Sequence, residues 1–110
     1  MIRRMKRLQI EKKDRLVCKD VDLKDVNYID KWQRTGNSHS TLAYHTSEGS
    51  FQDFDILVEA AEAYKDHGFV LVGRTALVQE CKIDQIISIE NNGSMIKFKD
   101  GSELYVLKQI

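Results

Sequence analysis

The chain has 110 residues, of which 42% are hydrophobic and 31% are charged. This length suits one domain, and the apolar fraction is sufficient for a buried core and too high for an intrinsically disordered chain. No apolar run approaches the roughly 20 residues of a membrane-spanning helix, and no secretory signal is visible. Cys18 and Cys81 lie far apart and outside metal-ligand spacing. We therefore expect a soluble cytoplasmic domain with reduced thiols and no membrane partner.

Charge is distributed unevenly along the chain. Residues 1–15 contain seven basic and two acidic residues, which leaves ten basic and fifteen acidic residues, a net charge of −5, in residues 16–110. We therefore divide the chain into a basic N-terminal segment, 1–15, and a domain, 16–110. The basic segment has two interpretations, a solubilising and partly frayed terminus or an arm that contacts nucleic-acid phosphates. The acidic remainder disfavours indiscriminate attraction to a polyanion, so any nucleic-acid site must be local.

Alternating apolar and polar residues predict short β-strands over most of the chain. The alternation covers 16–23, 26–32 and 41–46, a turn at 47–50 leads into 51–54, and further apolar stretches occupy 69–72, 86–89 and 95–99. The pair Asp100-Gly101 predicts a two-residue turn with positive φ, which returns residues 103–106 along the strand that contains Ile96 and Phe98.

One segment changes to helical periodicity. One face of this segment is apolar, and Asp55 is suited to cap its start while Gly68 suits a left-handed position past its end. The apolar face comprises Ile56, Leu57, Ala60, Ala61 and Tyr64. The residues therefore predict a mainly β protein with one short amphipathic helix.

The sequence contains none of the common enzyme motifs, such as a glycine-rich phosphate loop, G-x-S-x-G, H-E-x-x-H or C-x-x-C. Ser38-His39-Ser40 comes nearest to a catalytic cluster, but sequence neighbours rarely face one another and no carboxylate is placed to orient the imidazole. His39, His45 and His67 have no Cys or Asp at ligand spacing, which favours surface or packing roles over a metal site. We expect no catalytic activity and no cofactor.

The aromatic residues follow the strand patterns. Filling of the core is their first interpretation, and a stacking platform for single-stranded bases is the second. The residues concerned are Tyr28, Trp32, Tyr44, Phe51, Phe54, Phe69 and Phe98.

Four segments resemble, in order, the LytTR DNA-binding domain of bacterial transcription regulators. The first is 21–30, which ends in the aromatic-Ile-acid sequence Tyr28-Ile29-Asp30. The second is His39 with the strand after it, and the third is the predicted helix. The fourth is 68–79 with Ile83, followed by the Asp100-Gly101 hairpin and 104–106. The resemblance covers about residues 16 to 110.

The resemblance implies a fold and a partner. The implied fold is an elongated succession of small antiparallel sheets, a β-β-β sandwich with one short helix, in which loops enter successive major grooves. The implied partner is double-stranded promoter DNA with paired direct repeats, bound by two protomers. Family members act in transcription regulation, commonly as response regulators of two-component systems.

The resemblance also implies which residues contact DNA. His39, Arg74, and Lys108 or Gln109 correspond to three base-reading positions. Arginine can present two parallel donors to guanine O6 and N7, and glutamine can pair similarly with adenine, contacts worth about 1–3 kcal/mol of discrimination. We expect phosphate contacts from Thr75, Arg34, Lys82 and the N-terminal basic cluster. The alternative is a protein-interaction module of the same fold that binds a basic partner through its acidic surface.

Overall fold

The computed structural model describes residues 2–7, 18–33, 40–89 and 93–107. Within these residues the chain forms ten strands, one α-helix and three short 3-10 helices. The strands are β1 (Ile2–Arg7), β2 (Cys18–Asp22), β3 (Val26–Gln33), β4 (Ser40–Thr46), β5 (Gly49–Asp53), β6 (Phe69–Val72), β7 (Ala76–Gln79), β8 (Ile83–Ile89), β9 (Gly93–Phe98) and β10 (Glu103–Val106). Helix α1 is Leu57–Tyr64, and the 3-10 helices are Leu23–Asp25, Lys65–His67 and Glu80–Lys82.

The strands form two antiparallel sheets. One has seven strands in the order β2-β1-β5-β4-β3-β7-β6, and the other has three in the order β10-β9-β8. The described protein measures 40 × 31 × 27 Å along its principal axes. The predicted fold class, mainly β with antiparallel sheets and one short helix, is confirmed. Among the described residues, no helix has both the length and the apolar character needed to cross a membrane.

Strand β7 is buried on both faces and joins two cores. Leu77 points to the side of α1, where it joins a cluster with Ile29 and Tyr64. Its neighbours Ala76 and Val78 point to the opposite side and pack with the three-stranded sheet. Since successive strand residues alternate between faces, α1 and the three-stranded sheet lie on opposite faces of the seven-stranded sheet.

Gln79, the last residue of β7, has a structural role. Its side-chain amide is 4% exposed and donates to three backbone carbonyl oxygens around the 3-10 helix Leu23–Asp25. The distances are 3.3 Å to Leu23, 3.1 Å to Lys24 and 2.7 Å to Val26. This side chain therefore ties the end of β7 to the turn between β2 and β3.

The basic N-terminal residues 2–7 form β1, which pairs with both β2 and β5. The interpretation of a frayed terminus is therefore wrong for these residues. Arg3 donates to the carboxylates of Asp53 at 2.6 Å and Asp55 at 2.8 Å, and to the hydroxyls of Tyr44 and Tyr64. Although burial acts to lower the pKa of Arg3, the hydrogen bond to Tyr64 and the neighbouring phenols and carboxylate raise it overall. Arg3 thus remains charged and fastens β1 to β5 and α1.

The start of α1 differs from the prediction. The carboxylate of Asp55 accepts hydrogen bonds from Arg3 and the Tyr44 hydroxyl instead of capping the helix, and Ile56 occupies the cap position without a side-chain hydrogen bond. Ile56 is also 61% exposed, so it does not belong to the buried helix face. Gly68 has the expected left-handed conformation, with φ of 84°, after the 3-10 helix that continues α1.

The hairpin of β9 and β10 pairs as predicted, with Leu104 opposite Ile96. The prediction of a two-residue turn is wrong, however, because Gly101 is the one residue of the connection with positive φ, at 94°. The Phe98 backbone N–H donates to the Ser102 carbonyl and the Gly101 N–H donates to the Phe98 carbonyl, each at 2.9 Å. This arrangement is typical of a three-residue loop that ends in a left-handed glycine.

Of the seven aromatic residues for which a core position was predicted, four are buried, Tyr28 and Trp32 are half-buried, and one is exposed. Tyr44, Phe51, Phe69 and Phe98 are buried, which confirms core filling for these four. Phe54 is 81% exposed and lies after the end of β5, so the prediction of a core position is wrong for this residue.

Replacement of Arg3 tests the attachment of β1. We expect Arg3→Met to lower the free energy of unfolding by about 2 kcal/mol, because two carboxylates and two phenols lose a charged donor. The control is Arg4→Met on the same strand, since Arg4 contacts only the exposed Asp20 carboxylate at 3.3 Å in the described part of the chain and should contribute under about 0.5 kcal/mol. Urea unfolding measures both. Equal effects of the two substitutions would contradict the attachment.

The β9–β10 loop makes a contribution to the stability of the fold that depends on pH. Partial burial acts to raise the pKa of Asp100, but hydrogen bonds from Ser102 and Asn27 hold it below its ordinary value of 3.8. The Asp100 carboxylate therefore stabilises the fold above pH 3.8. This stabilisation is lost as the pH falls through the lower pKa that Asp100 has in the folded state.

We expect Asp100→Asn to reduce stability by about 1 kcal/mol at pH 7. The difference in the free energy of unfolding between this variant and the wild type should shrink once the pH is below the ordinary pKa of aspartate. Urea unfolding at several pH values measures this difference, with the exposed Asp84→Asn as the control. A deficit of Asp100→Asn that is unchanged at pH 3 would refute the role of the charge.

Candidate functional site

The turn between β6 and β7 holds Arg74 in a strained conformation. Gly73 has φ of 59° and Arg74 has φ of 63°, and the Thr75 N–H donates to the Val72 carbonyl at 3.2 Å. Two successive positive φ values are typical of a type I′ turn, whose central positions favour glycine and asparagine. Arg74 is the one non-glycine residue with positive φ in the described part of the chain. For an L-residue this conformation costs about 1–2 kcal/mol.

The guanidinium of Arg74 is available to a ligand. The residue is exposed and has no hydrogen-bond or ion-pair partner among residues 2–7, 18–33, 40–89 and 93–107. In contrast, Arg3 and Arg4 of β1 both contact aspartate side chains. A free guanidinium offers five donors in a rigid planar array, which suits bidentate acceptors such as phosphate and the guanine edge.

The β3–β4 connection begins at the same end of the sheet as the Arg74 turn. β7 starts at Ala76, which lies opposite Asp30 of β3. Only a few residues further on, β3 ends at Gln33, opposite the first residue of β4, Ser40. The predicted DNA contacts Arg34 and His39 belong to this connection and lie outside the described residues.

The end of β10 lies away from Lys82. The Lys99 N–H donates to the Lys82 carbonyl at 2.9 Å, which places the residue that follows β9 beside the 3-10 helix at the far end of β7. Because β10 is antiparallel to β9, it ends at the other end of the small sheet. Leu104 of β10 and Val72, next to the Arg74 turn, both border the buried cluster between the sheets. The predicted contacts Lys108 and Gln109 follow β10 and lie outside the described residues.

Thr75 is close to Arg74, whereas Lys82 is not. Thr75 is exposed, and its hydroxyl is 3.5 Å from the Val72 carbonyl, a weak contact that leaves it able to bond a ligand. Lys82 is separated from the turn by the four residues of β7, about 13 Å of strand. It lines a cavity of about 400 Å³ together with Asp25, Lys99 and Asp100.

Lys31 is a candidate that the sequence analysis missed. It is exposed, lies in β3 one residue beyond Asp30, and has no ion-pair partner among the described residues. Its position brings a second positive charge to the end of the sheet that carries Arg74. Its place within a regular strand pattern gave no signal, because only the pairing of β3 with β7 shows which loop it is near.

A serine, a histidine and an aspartate are hydrogen-bonded across β3, β4 and β5. His45 Nδ1 is 2.7 Å from Ser50 Oγ, and His45 Nε2 is 2.8 Å from Asp30 Oδ1. The His45 ring stacks on Tyr28 at 4.2 Å. The cavity beside Lys82 includes none of these residues. The hydrogen bonds and the stacked ring join β3, β4 and β5. No group of three metal-ligating side chains occurs in the described part of the chain.

The comparison with protein families decides the identity. A family model described as the LytTr DNA-binding domain matches residues 18–109. The chain belongs to this family. The LytTr family is a family of DNA-binding domains and not a class of enzymes. Residues 2–7, which form β1 in this LytTr domain, precede the matched region.

A solved structure supports the LytTr fold. It is described as the LytTr DNA-binding domain of a putative methyl-accepting/DNA response regulator from Bacillus cereus. It is similar to this LytTr domain with a TM-score of 0.70 and 13% sequence identity, over 96% of this chain and 85% of that chain. At this identity the similarity shows the fold alone. No curated protein sequence matches the chain.

The strain at Arg74 can be measured without a ligand. We expect Arg74→Gly to leave the LytTr domain as stable as the wild type or more stable by up to about 1 kcal/mol, because glycine adopts positive φ without steric strain. The control is Thr75→Gly at the next position, where φ is not positive. That change should lower stability by about 0.5–1 kcal/mol. Thermal and urea unfolding measure both, and an equal loss in the two variants would rule out strain at Arg74.

Proposed function

We propose that this LytTr domain is a sequence-specific double-stranded DNA-binding domain of a bacterial transcription regulator, which reads major-groove bases through loops at one end of its sheets. The single observation that carries the proposal is the exposed, unpaired Arg74 guanidinium held in a strained turn. A strained residue persists where the surrounding structure enforces it, and such residues concentrate at functional sites. Arg74 would read guanine through two parallel hydrogen bonds.

Further contacts in the proposal come from segments that adjoin this end of the sheets. His39 would read a second base and Lys108 or Gln109 a third. Arg34, Thr75 and the newly identified Lys31 would hold phosphates and fix the register of the domain on the duplex. Lys82 would reach a phosphate only on a duplex that also extends along β7, so we assign it the weakest contact of the set.

Charge pairing within the domain supports a local site. Five of the basic side chains in the described strands and turns are neutralised by carboxylates. Arg3 pairs with Asp53 and Asp55, and the other pairs are Arg4–Asp20, Lys19–Glu48, Lys24–Asp22 and Lys65–Glu62. Arg74 and Lys31 are not paired in this way, and among the described residues the same holds for Lys82, Lys97 and Lys99. Free cations within an acidic body favour orientations of the domain that turn these cations toward a polyanion.

The proposed target is promoter DNA in the cytoplasm, with paired direct repeats bound by two copies of the domain. The net charge of −5 over residues 16–110 favours a second candidate, a module of the same fold that binds a basic protein. The two candidates differ in one measurable respect. Only the sequence-specific DNA-binding domain would bind one duplex sequence in preference to unrelated duplexes.

Selection from a random duplex library tests the proposal and supplies the target. We expect an enriched sequence, for which Arg74→Ala lowers affinity about 5- to 150-fold, corresponding to the loss of one bidentate base contact. Arg74→Lys should lie between Arg74→Ala and the wild type, because lysine keeps the charge but not the paired donors. Fluorescence anisotropy at fixed salt measures each affinity.

The controls separate base reading from charge. Lys65→Ala removes a lysine that is paired with Glu62 and should leave the affinity unchanged. Lys31→Ala should weaken binding to selected and unrelated duplexes alike and lower the slope of log affinity against log salt by about 1. Failure to enrich any duplex would favour the protein-interaction module, and wild-type affinity of Arg74→Ala would refute the role of Arg74.

A further inference from the structure

The cavity beside Lys82 lies at the end of β7 away from Arg74. Four connections of the chain border it, which join β2 to β3, β4 to β5, β7 to β8 and β9 to β10. Its volume of about 400 Å³ is within the usual range of small-molecule sites. Because the lining residues come from connections that are far apart in the chain, only the folded protein assembles this space.

Two lysines border the cavity without a carboxylate partner. The Lys99 N–H donates to the Lys82 carbonyl at 2.9 Å, so the two backbones are adjacent, and both side chains line the cavity. Neither ammonium group forms an ion pair within the residues that the structure describes. We call Lys82 and Lys99 the lysine pair. Positive charges that border one concave space attract an anionic group into it.

Two aspartates border the same cavity and do not neutralise the lysine pair. One carboxylate oxygen of Asp100 accepts from Asn27 at 2.7 Å, and the other accepts from the Ser102 backbone N–H at 2.9 Å. Asp25 is exposed, and its carboxylate has no partner among the described residues. The formal charges of the two lysines and the two aspartates therefore cancel, although the positive and negative groups stay apart.

Asn27 adds an acceptor that is almost buried. This residue is 4% exposed and lines the cavity. Its amide nitrogen donates to Asp100 and, at 3.1 Å, to the Ser102 hydroxyl, which fixes the orientation of the amide. Its amide oxygen has no partner in the described part of the chain, whereas every fully buried side-chain nitrogen or oxygen there has one. This oxygen therefore reaches solvent, and the cavity provides the access.

We propose that the cavity binds a zwitterion of the amino-acid class. The ligand carboxylate lies between the two ammonium groups of the lysine pair. The ligand ammonium group, which has three donors and no acceptor, donates to the Asp25 carboxylate and to the Asn27 amide oxygen. We call Asp25 and Asn27 the acceptor pair. All of these contacts involve a charged group, which makes them stronger than contacts between neutral groups.

The charges of the cavity distinguish this ligand from a simple anion. A phosphate or carboxylate anion would satisfy the lysine pair but would leave the acceptor pair without a donor. It would also bring a net negative charge beside the carboxylates of Asp25 and Asp100. A zwitterion has no net charge, and its two charged groups are separated in the same way as those of the cavity.

The size of the cavity suits a small and weakly bound ligand. A free amino acid has about ten non-hydrogen atoms, and a ligand of this size binds with a Kd of about 10 μM to 1 mM. The volume leaves space for a side chain beyond the two charged groups. We therefore expect affinity to differ among amino acids according to how their side chains fill this space.

The site is separate from the proposed DNA contacts at the other end of β7. Arg74 precedes this strand, and the cavity follows it. Lys82, the weakest phosphate contact in the proposed function, would instead bind the ligand carboxylate. The inference does not require DNA binding, and its test contains no DNA, so that failure of one proposal leaves the other standing.

Alkylation of the two cysteines measures occupancy of the cavity. Cys81 lines the cavity, whereas Cys18 begins β2 outside it, and both thiols are exposed. The protein is treated with iodoacetamide in the presence of each standard amino acid except cysteine, at up to about 10 mM. Mass spectrometry gives the alkylation rate at each cysteine. At ten times its Kd, a bound amino acid should slow the alkylation of Cys81 about tenfold and leave that of Cys18 unchanged.

Modified forms of the protecting amino acid test the ligand class. The N-acetyl form lacks the ammonium group and the amide form lacks the carboxylate, so each should bind at least about tenfold more weakly. Inorganic phosphate serves as an anion without an ammonium group. Protection of Cys81 by phosphate or by the N-acetyl form at the same concentration as the amino acid would overturn the zwitterion and indicate an anion site.

Two variants test the two ends of the site. Lys99→Met should weaken the amino acid at least about tenfold without further weakening its amide form, and Asp25→Asn should weaken the amino acid but not its N-acetyl form. The control is Lys65→Met, because Lys65 pairs with Glu62 and does not line the cavity. All three positions are exposed, and circular dichroism verifies that each variant is folded.

The Kd comes from the concentration dependence of the protection, so a change in the intrinsic reactivity of Cys81 in a variant does not affect it. Absence of protection by every amino acid would overturn the proposal. Equal protection of Cys18 and Cys81 would also overturn it, because Cys18 lies outside the cavity. Wild-type affinity of both Lys99→Met and Asp25→Asn would place the ligand elsewhere and refute the site.

Discussion

The structure depends on the burial of β7 on both faces. This strand of four residues supplies Leu77 to the core beneath α1 and Ala76 and Val78 to the core beneath the three-stranded sheet. It begins immediately after the strained Arg74 turn, and it ends at Gln79, which secures the turn between β2 and β3. The rigidity that holds an arginine at positive φ therefore comes from a strand that cannot shift without disturbing both cores.

The sequence predicted the elements whose burial follows a local pattern. β9 alternates in polarity because one of its faces is buried, and the pattern reports this directly. β1 was missed because its basic residues resemble a solvated terminus, and only the carboxylates of Asp53 and Asp55 from elsewhere in the chain make Arg3 compatible with a packed strand. The outward position of Ile56 was missed for a related reason, since helical periodicity does not show where the preceding strand ends.

The candidate site was predictable only in outline. The resemblance to the LytTR family nominated Arg74, and the family match over residues 18–109 supports that resemblance. The conformation of Arg74 and its freedom from carboxylates depend on the register of β6 against β7, which no local pattern encodes. The separation of Lys82 from Arg74 likewise depends on the chain passing through β7 before it reaches the 3-10 helix. The contact between His45 and Ser50 also depends on strand register, because the two residues are opposite each other in the pairing of β4 with β5.

The position of β1 has a consequence for the order of folding. β1 and β2 can pair early, as a local hairpin-like unit, but β1 reaches its other neighbour, β5, only after more than forty intervening residues are in place. Arg3 finds Tyr64 across an even longer stretch of chain, a separation of 61 residues. Closure of such distant contacts is slow because the chain entropy is lost before the contacts form. The first of the described strands in chain order is thus among the last to reach its final place, and the edge of β5 stays open until it does.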